Sequence, residues 1–261
     1  MNRIRSYNDF INEGVPTDSS DLEKNKIVDT FSKSVKDSQK AEESPRGSNK
    51  GDLVKSMQTA VGTTPGNPWC AAFIYDIFNK VGINPESKSK IPVTASVKSH
   101  WEKSKGKKIT SEEIKKNPSL IKPGMSFFYL TRDKNGGYPG PGHTGVILKN
   151  NTNDKTFTSI EGNTNPLDGA REGYGAFLVT RSIDDPSISK DKNDHPAKFL
   201  GVIDYFSDYR GTYFDKKIEA ESEKIINDLL HPKTEKEKRY LQNNPSSFKE
   251  YEKNYKERNT K

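Results

Sequence analysis

The spacing of apolar residues changes partway along this chain, and that change constrains the fold more than any other feature. Up to Leu120 the apolar positions recur as on one face of a helix. Leu53, Val54, Met57, Ala60 and Val61 form one such set, and their spacing predicts a helix over 52–61. Gly62 stops it. After the turn-forming run Thr63–Pro68, Cys70, Phe73, Ile74, Ile77, Phe78 and Val81 fall three, four and seven apart. They predict a helix from Trp69 to Val81 with one buried stripe. A third helix is expected from an N-cap at Thr94 to near Gly106, and Ser111-Glu112-Glu113-Ile114 starts a short fourth. Beyond that the runs shorten to strand length. Met125–Thr131, His143–Lys149, Thr156–Glu161, Ala176–Ser182 and Phe199–Phe206 read as strands, separated by Gly, Pro, Asn and Asp. Helices first and strands afterwards predict an α+β domain in which helices pack on an antiparallel sheet.

The flanks read differently. Apolar residues make up only 30% of the chain and charged residues another 30%, so part of it buries little surface. Residues 1–42 are polar and read as a flexible leader, with a short helix near 21–40 as its one structured stretch. From Gly211 onward the chain is charged and helical in pattern, with a sparse apolar stripe at Ile218, Ile225, Ile226, Leu229 and Leu230. That stripe suits packing on the core or on a partner. The expected division is therefore 1–42, 43–210 and 211–261. The net charge is +7, most of it in the central part. A mildly basic body suits an anionic polymer, such as a cell wall or nucleic acid, and equally an ordinary solvated surface. Nucleic acid is not expected as a partner, because the basic residues are not interleaved with aromatics in a stacking pattern. The N-terminus lacks the apolar core of a secretory signal, and no run reaches the ~18 apolar residues of a membrane span. The expectation is a protein made in the cytoplasm.

The chemistry concentrates around the single cysteine. One cysteine cannot form an internal disulfide. Cys70 opens a predicted helix, where unpaired N–H groups and the positive dipole end stabilise a thiolate. It also lies on the apolar stripe, so periodicity alone reads it equally well as a core cysteine. His143 stands in Gly142-His143-Thr144-Gly145 on a predicted strand, and flanking glycines let another group approach closely. As a base it would serve Cys70; as an isolated strand histidine it would be structural. His100, His195 and His231 are weaker competitors. Glu161 and Asn163, two apart on an extended backbone, would point to the same side. Either could orient the histidine, as the third member of a triad does. The same Glu-Gly-Asn-Thr-Asn-Pro run is also good turn sequence.

Together these motifs resemble a known family. Pro68-Trp69-Cys70-Ala71-Ala72-Phe73 is similar to the nucleophile motif of CHAP domains, the cysteine- and histidine-dependent amidohydrolases and peptidases. Gly142-His143-Thr144-Gly145-Val146-Ile147 resembles that family's histidine strand, and Ile160-Glu161-Gly162-Asn163-Thr164 its following strand. Arg46–Gly51 and the Ile121–Gly124 turn also fit, so the resemblance spans residues 43–206. It implies a papain-like α+β fold, with Cys70 as nucleophile, His143 as base, Glu161 as orienting residue and Asn163 sharing that role. It implies cleavage of an amide bond in peptidoglycan through a thioacyl intermediate, either at the sugar–peptide link or within the peptide. Many such proteins are phage lysins or bacterial wall-remodelling enzymes. The chain departs from the family at Gly124-Met125, where Gly-Asp is common. Asp52 stands alone where some relatives hold calcium, so neither metal nor cofactor is expected. Two other readings stay open: a phage virion adaptor that docks through its charged tails, and a cytoplasmic amidase acting on a substrate other than the wall.

Overall fold

A computed structural model describes residues 19–82, 90–131, 137, 141–165, 171–184 and 198–231. Four helices come first: α1 (Ser19–Ser38), α2 (Asp52–Ala60), α3 (Cys70–Lys80) and α4 (Val97–Lys103). Strand β1 (Lys107–Thr110) and the short α5 (Ser111–Lys116) follow. Strands β2 (Ser126–Leu130), β3 (Gly142–Asn151), β4 (Thr156–Thr164), β5 (Arg171–Ser182) and β6 (Lys198–Asp204) then lead to α6 (Thr212–Leu230). The six strands form one sheet in the order β1-β6-β2-β3-β4-β5, and every pairing is antiparallel. The protein is α+β, with the helices-then-sheet order of a papain-like fold.

The sheet carries two apolar layers because strand side chains alternate between its faces. Phe128, Leu130, Val146, Leu148, Ile160 and Ile203 join the buried faces of the helices. Phe127, Tyr129, Ile147, Phe157 and Val202 form a second cluster with Ile109 and Ile114. Helix α3 is the centre of the first layer, and its residues from Cys70 to Tyr75 are all buried.

The structure places both flanks, and one expectation is corrected. The flexible leader proposed for 1–42 does not describe residues 19–42. Helix α1 buries Ile27, Val28, Phe31 and Val35, and the Phe31 ring meets Phe78 of α3 and Phe206. The following segment binds the outer edge of the sheet. Glu43 N donates to Tyr174 O at 2.8 Å, and Glu42 bridges Gly175. This covers backbone groups that an exposed edge strand would leave open. Helix α6 takes the first of the two placements its stripe left open, packing on the core. It buries Phe214, Ile218, Ile225, Ile226 and Leu230 and pairs with α1 through Lys36–Asp228 and Tyr213–Asn25 contacts. Both helices bury only one narrow stripe, which shows a helix in the sequence but not what covers it. Residues 1–18 and 232–261 lie outside the described residues.

Smaller differences have local causes. Helix α4 is capped by Ser96, whose hydroxyl accepts from Ser99 N at 3.2 Å, while Thr94 Oγ1 accepts from Ser96 N one turn earlier. The helix stops at Lys103 because the chain turns into β1, an edge strand with one buried residue, Ile109. That single apolar residue gives no alternation to read. Helix α5 starts where expected, with a reciprocal cap between Thr110 and Glu113. The glycine- and proline-rich loop Arg132–Gly142, with Tyr138, falls mostly outside the described residues, as does His195.

Candidate active site

Cys70 is the first residue of α3, and its N-cap, Trp69, makes no side-chain capping bond. The positive end of the helix dipole therefore lies next to the sulfur. The Cys70 side chain is buried, and Sγ lies 4.0 Å from the Gly142 carbonyl oxygen. The sulfur thus sits one residue along the chain from His143.

His143 is fully buried near the start of β3, paired across the ladder with Tyr129. Its ring lies 5.9 Å from that of Tyr129 and 6.2 Å from that of Phe127. Its Nε2 is 2.8 Å from Glu161 Oε2. Burial pushes the Glu161 carboxyl up, but the Arg181 guanidinium and the bonds to Arg181 and His143 outweigh it and hold the group down at about 2. An ionised carboxylate only accepts, so Nε2 carries the hydrogen and Nδ1 is the ring nitrogen that can take a proton.

Glu161 is held from every side. Ser159 Oγ donates to Oε1 at 2.5 Å and Arg181 Nε to the same oxygen at 2.6 Å. Arg181 Nη2 and His143 Nε2 donate to Oε2. Both oxygens are therefore saturated, and the carboxylate has one orientation. The packing needs small residues around it. A Cβ on Gly145 would stand 2.6 Å from Glu161 Cγ, and one on Gly162 would stand 2.6 Å from atoms of both Trp69 and Phe73. The glycines that flank the motif residues thus admit protein neighbours: Glu161 beside β3, and α3 against β4.

Asn163 does not share the orienting role in this geometry. Its φ of 57° breaks the extended alternation after Gly162, so it does not follow Glu161 to the same side. Its Oδ1 is buried without a hydrogen-bond partner. The competitor His100 is also settled structurally: its Nε2 bonds Tyr205 OH at 2.7 Å in the core. His231 caps the end of α6.

Sequence reading missed two residues. Glu43, at the first position of the expected central part and given no role there, accepts from Trp69 Nε1 at 2.9 Å and from Asn49 N at 3.0 Å. Arg181 was read only as part of a strand. A buried arginine in a strand has no periodic signature, and its partner lies 20 residues away.

The fold and this constellation define a papain-like α+β protein with a cysteine, a histidine and an ionised glutamate converging at one end of the sheet. A family model described as the CHAP domain matches residues 62–163, a stretch that contains Cys70, His143, Glu161 and Asn163. That stretch is similar to the CHAP domain, the family whose motifs the sequence resembles. No curated protein and no solved structure matches the chain. Among the described residues there is no group of three or more His, Cys, Asp or Glu that could hold a metal ion, and no helix is long and apolar enough to cross a membrane.

Proposed function

We propose that the protein is a cysteine amidohydrolase or peptidase that cleaves an amide bond of bacterial peptidoglycan. The observation that carries the reading is the bond from His143 Nε2 to a buried, ionised Glu161, one residue from the carbonyl that Cys70 Sγ touches. Glu161 fixes the ring so that Nδ1 is the basic nitrogen. The imidazole takes the Cys70 proton, and the thiolate attacks the amide carbonyl. The start of α3, at the positive end of its dipole, stabilises the oxyanion. Collapse of the tetrahedral intermediate breaks the C–N bond, and the departing amine takes the proton from the imidazolium. Water, deprotonated by the same nitrogen, then splits the thioester, which releases the acid and restores the thiol. Asn163, with its unpartnered amide oxygen, is assigned to substrate contact rather than to His143. The net charge of +7 favours accumulation on an anionic wall. The reading further places the protein as a phage or bacterial lysin that reaches the wall after cytoplasmic synthesis, with docking to virion proteins through its flanks.

Digestion of purified peptidoglycan from several species, with mass spectrometry of the soluble products, tests this. New amine ends from wild type and none from Cys70→Ala are expected, and they identify the bond. Absence of cleavage by a folded wild-type protein on every wall overturns the peptidoglycan assignment.

A further inference from the structure

Among the described residues, Arg181 is the one buried lysine or arginine side chain. It lies beyond the stretch matched by the family model. Its guanidinium forks onto both oxygens of Glu161 and packs over the rings of Phe127 and Tyr129, at 5.2 and 5.5 Å from their centroids. It also makes a hydrogen bond to the side chain of Tyr129. A fork of this kind fixes a carboxylate in direction as well as in place.

The charges then matter as a set. A thiolate–imidazolium pair beside an isolated buried carboxylate would leave one uncompensated negative charge among buried side chains, which is costly. With Arg181 the four groups are guanidinium, carboxylate, imidazolium and thiolate, two of each sign. The other buried titratable side chains packed around α3 and β3 are Glu43, Tyr75, His100, Tyr129 and Tyr205. Glu43 is taken up by Trp69 and Asn49, and His100 by Tyr205. Asp76, half-buried on α3, is held by Ser38 and Lys80. None of these supplies a second buried cation.

We propose that Arg181 is a positioning residue of this site, a fourth member that locks Glu161 toward His143 and supplies the cation that balances the thiolate form of Cys70. The inference rests on the reading of Cys70 and His143 as nucleophile and base. It deepens that reading by making the reactive state of the sulfur depend on a residue that touches neither it nor substrate.

Because the chain has a single cysteine, its ionisation can be followed without any substrate. The measurement is thiolate ultraviolet absorbance against pH, taken as the difference from the matching Cys70→Ala protein. Wild type should titrate well below the free-thiol value of about 8.5. A wild-type midpoint near that value, equal to that of His143→Ala, would instead sink the nucleophile–base reading itself. With the wild-type midpoint low, Arg181→Met should raise it by about one pH unit, the effect of losing one cation at intermediate effective dielectric. Arg181→Lys keeps the charge and should recover most of the shift. Arg181→Met combined with Glu161→Gln removes one charge of each sign, leaves neither unpaired, and should titrate near wild type. This double variant keeps the test open if Arg181→Met alone does not fold. A merely structural arginine predicts lower stability with an unmoved midpoint. An unmoved midpoint in folded Arg181→Met, or a double variant raised by a full unit, overturns the proposal.

Discussion

Trp69, the residue before Cys70, donates its indole N–H to Glu43 Oε1 at 2.9 Å, from a position where neither side chain meets solvent. The bond ties the start of α3 to the segment that pairs with the edge of β5. The second carboxylate oxygen accepts from Asn49 N, and Gln58 Nε2 donates to Asn49 O and Asn67 O. The turn that delivers Cys70 is thus fastened to residues 43–49 and to α2. Trp69→Phe keeps much of the ring packing and removes the donor. It should cost about 2 kcal/mol, the order expected when a buried acceptor loses its partner. Urea denaturation measures this, and a cost below a few tenths of a kcal/mol would show that the bond does not anchor the helix.

Glu161 can be neutralised without changing its shape. Glu161→Gln keeps an acceptor for His143 but leaves Arg181 buried beside a neutral amide. Breaking one side of a buried ion pair costs about 3 kcal/mol, so the variant should be less stable than the double variant that also carries Arg181→Met. Equilibrium unfolding of the two proteins gives the comparison directly. A single variant as stable as the double would mean that the Arg181–Glu161 pair is not an energetic unit.

Two glycines should resist even the smallest side chain. A methyl group at residue 162 meets Phe73 and Trp69, and one at residue 145 meets Glu161 Cγ and the Ile160 carbonyl at 2.8 Å. Gly162→Ala should lower stability by about 2 kcal/mol through overpacking. Gly145→Ala should displace Glu161 from His143 and reduce hydrolysis by about ten- to a hundredfold, as loss of an orienting contact does. Thermal melts and rates on the wall substrate identified for wild type test each effect. A fully active Gly145→Ala protein would contradict the geometry given for Glu161.

His100 makes stability depend on pH. Burial pushes its imidazole down from 6.5 to about 3. Between those values the unfolded chain binds a proton that the folded chain refuses. Stability is therefore complete above pH 6.5 and falls as pH drops, by up to about 1.4 kcal/mol per pH unit. Glu161, held at about 2 against an unfolded 4.5, adds a slope of the same sign below pH 4.5. His100→Gln can still bond Tyr205 and should remove the His100 share of the slope, which runs from 6.5 to about 3 and stands apart from that of Glu161 between 6.5 and 4.5. Urea titrations on either side of pH 6.5, with wild type and variant, measure it; identical slopes would refute the assignment to His100.

The order of elements and the identity of the motif residues are already legible in the chain. Helices α2 and α3 follow from spacing, because a helix that buries one face must repeat apolar residues every three to four positions. Strands β2 to β6 follow from short apolar runs between turn residues. Cys70, His143 and Glu161 stand out because glycines and an early helix position surround them, and these are local features. Helices α1 and α6 were harder to place. Their helical stripes are visible, but a stripe does not say whether the core or a partner covers it.

What only the tertiary structure decided is which polar groups share one buried space. Asn163 and Glu161 are equal candidates on an extended strand; a left-handed residue at 163 separates them. Glu43 and Arg181 carry no local mark at all. They matter because the chain brings Glu43 to Trp69 and Arg181 to Glu161. The local pattern of a sequence records solvent and the backbone's own geometry. A buried charge answers to its partner across the sheet, and that partner is fixed only when the strands pair.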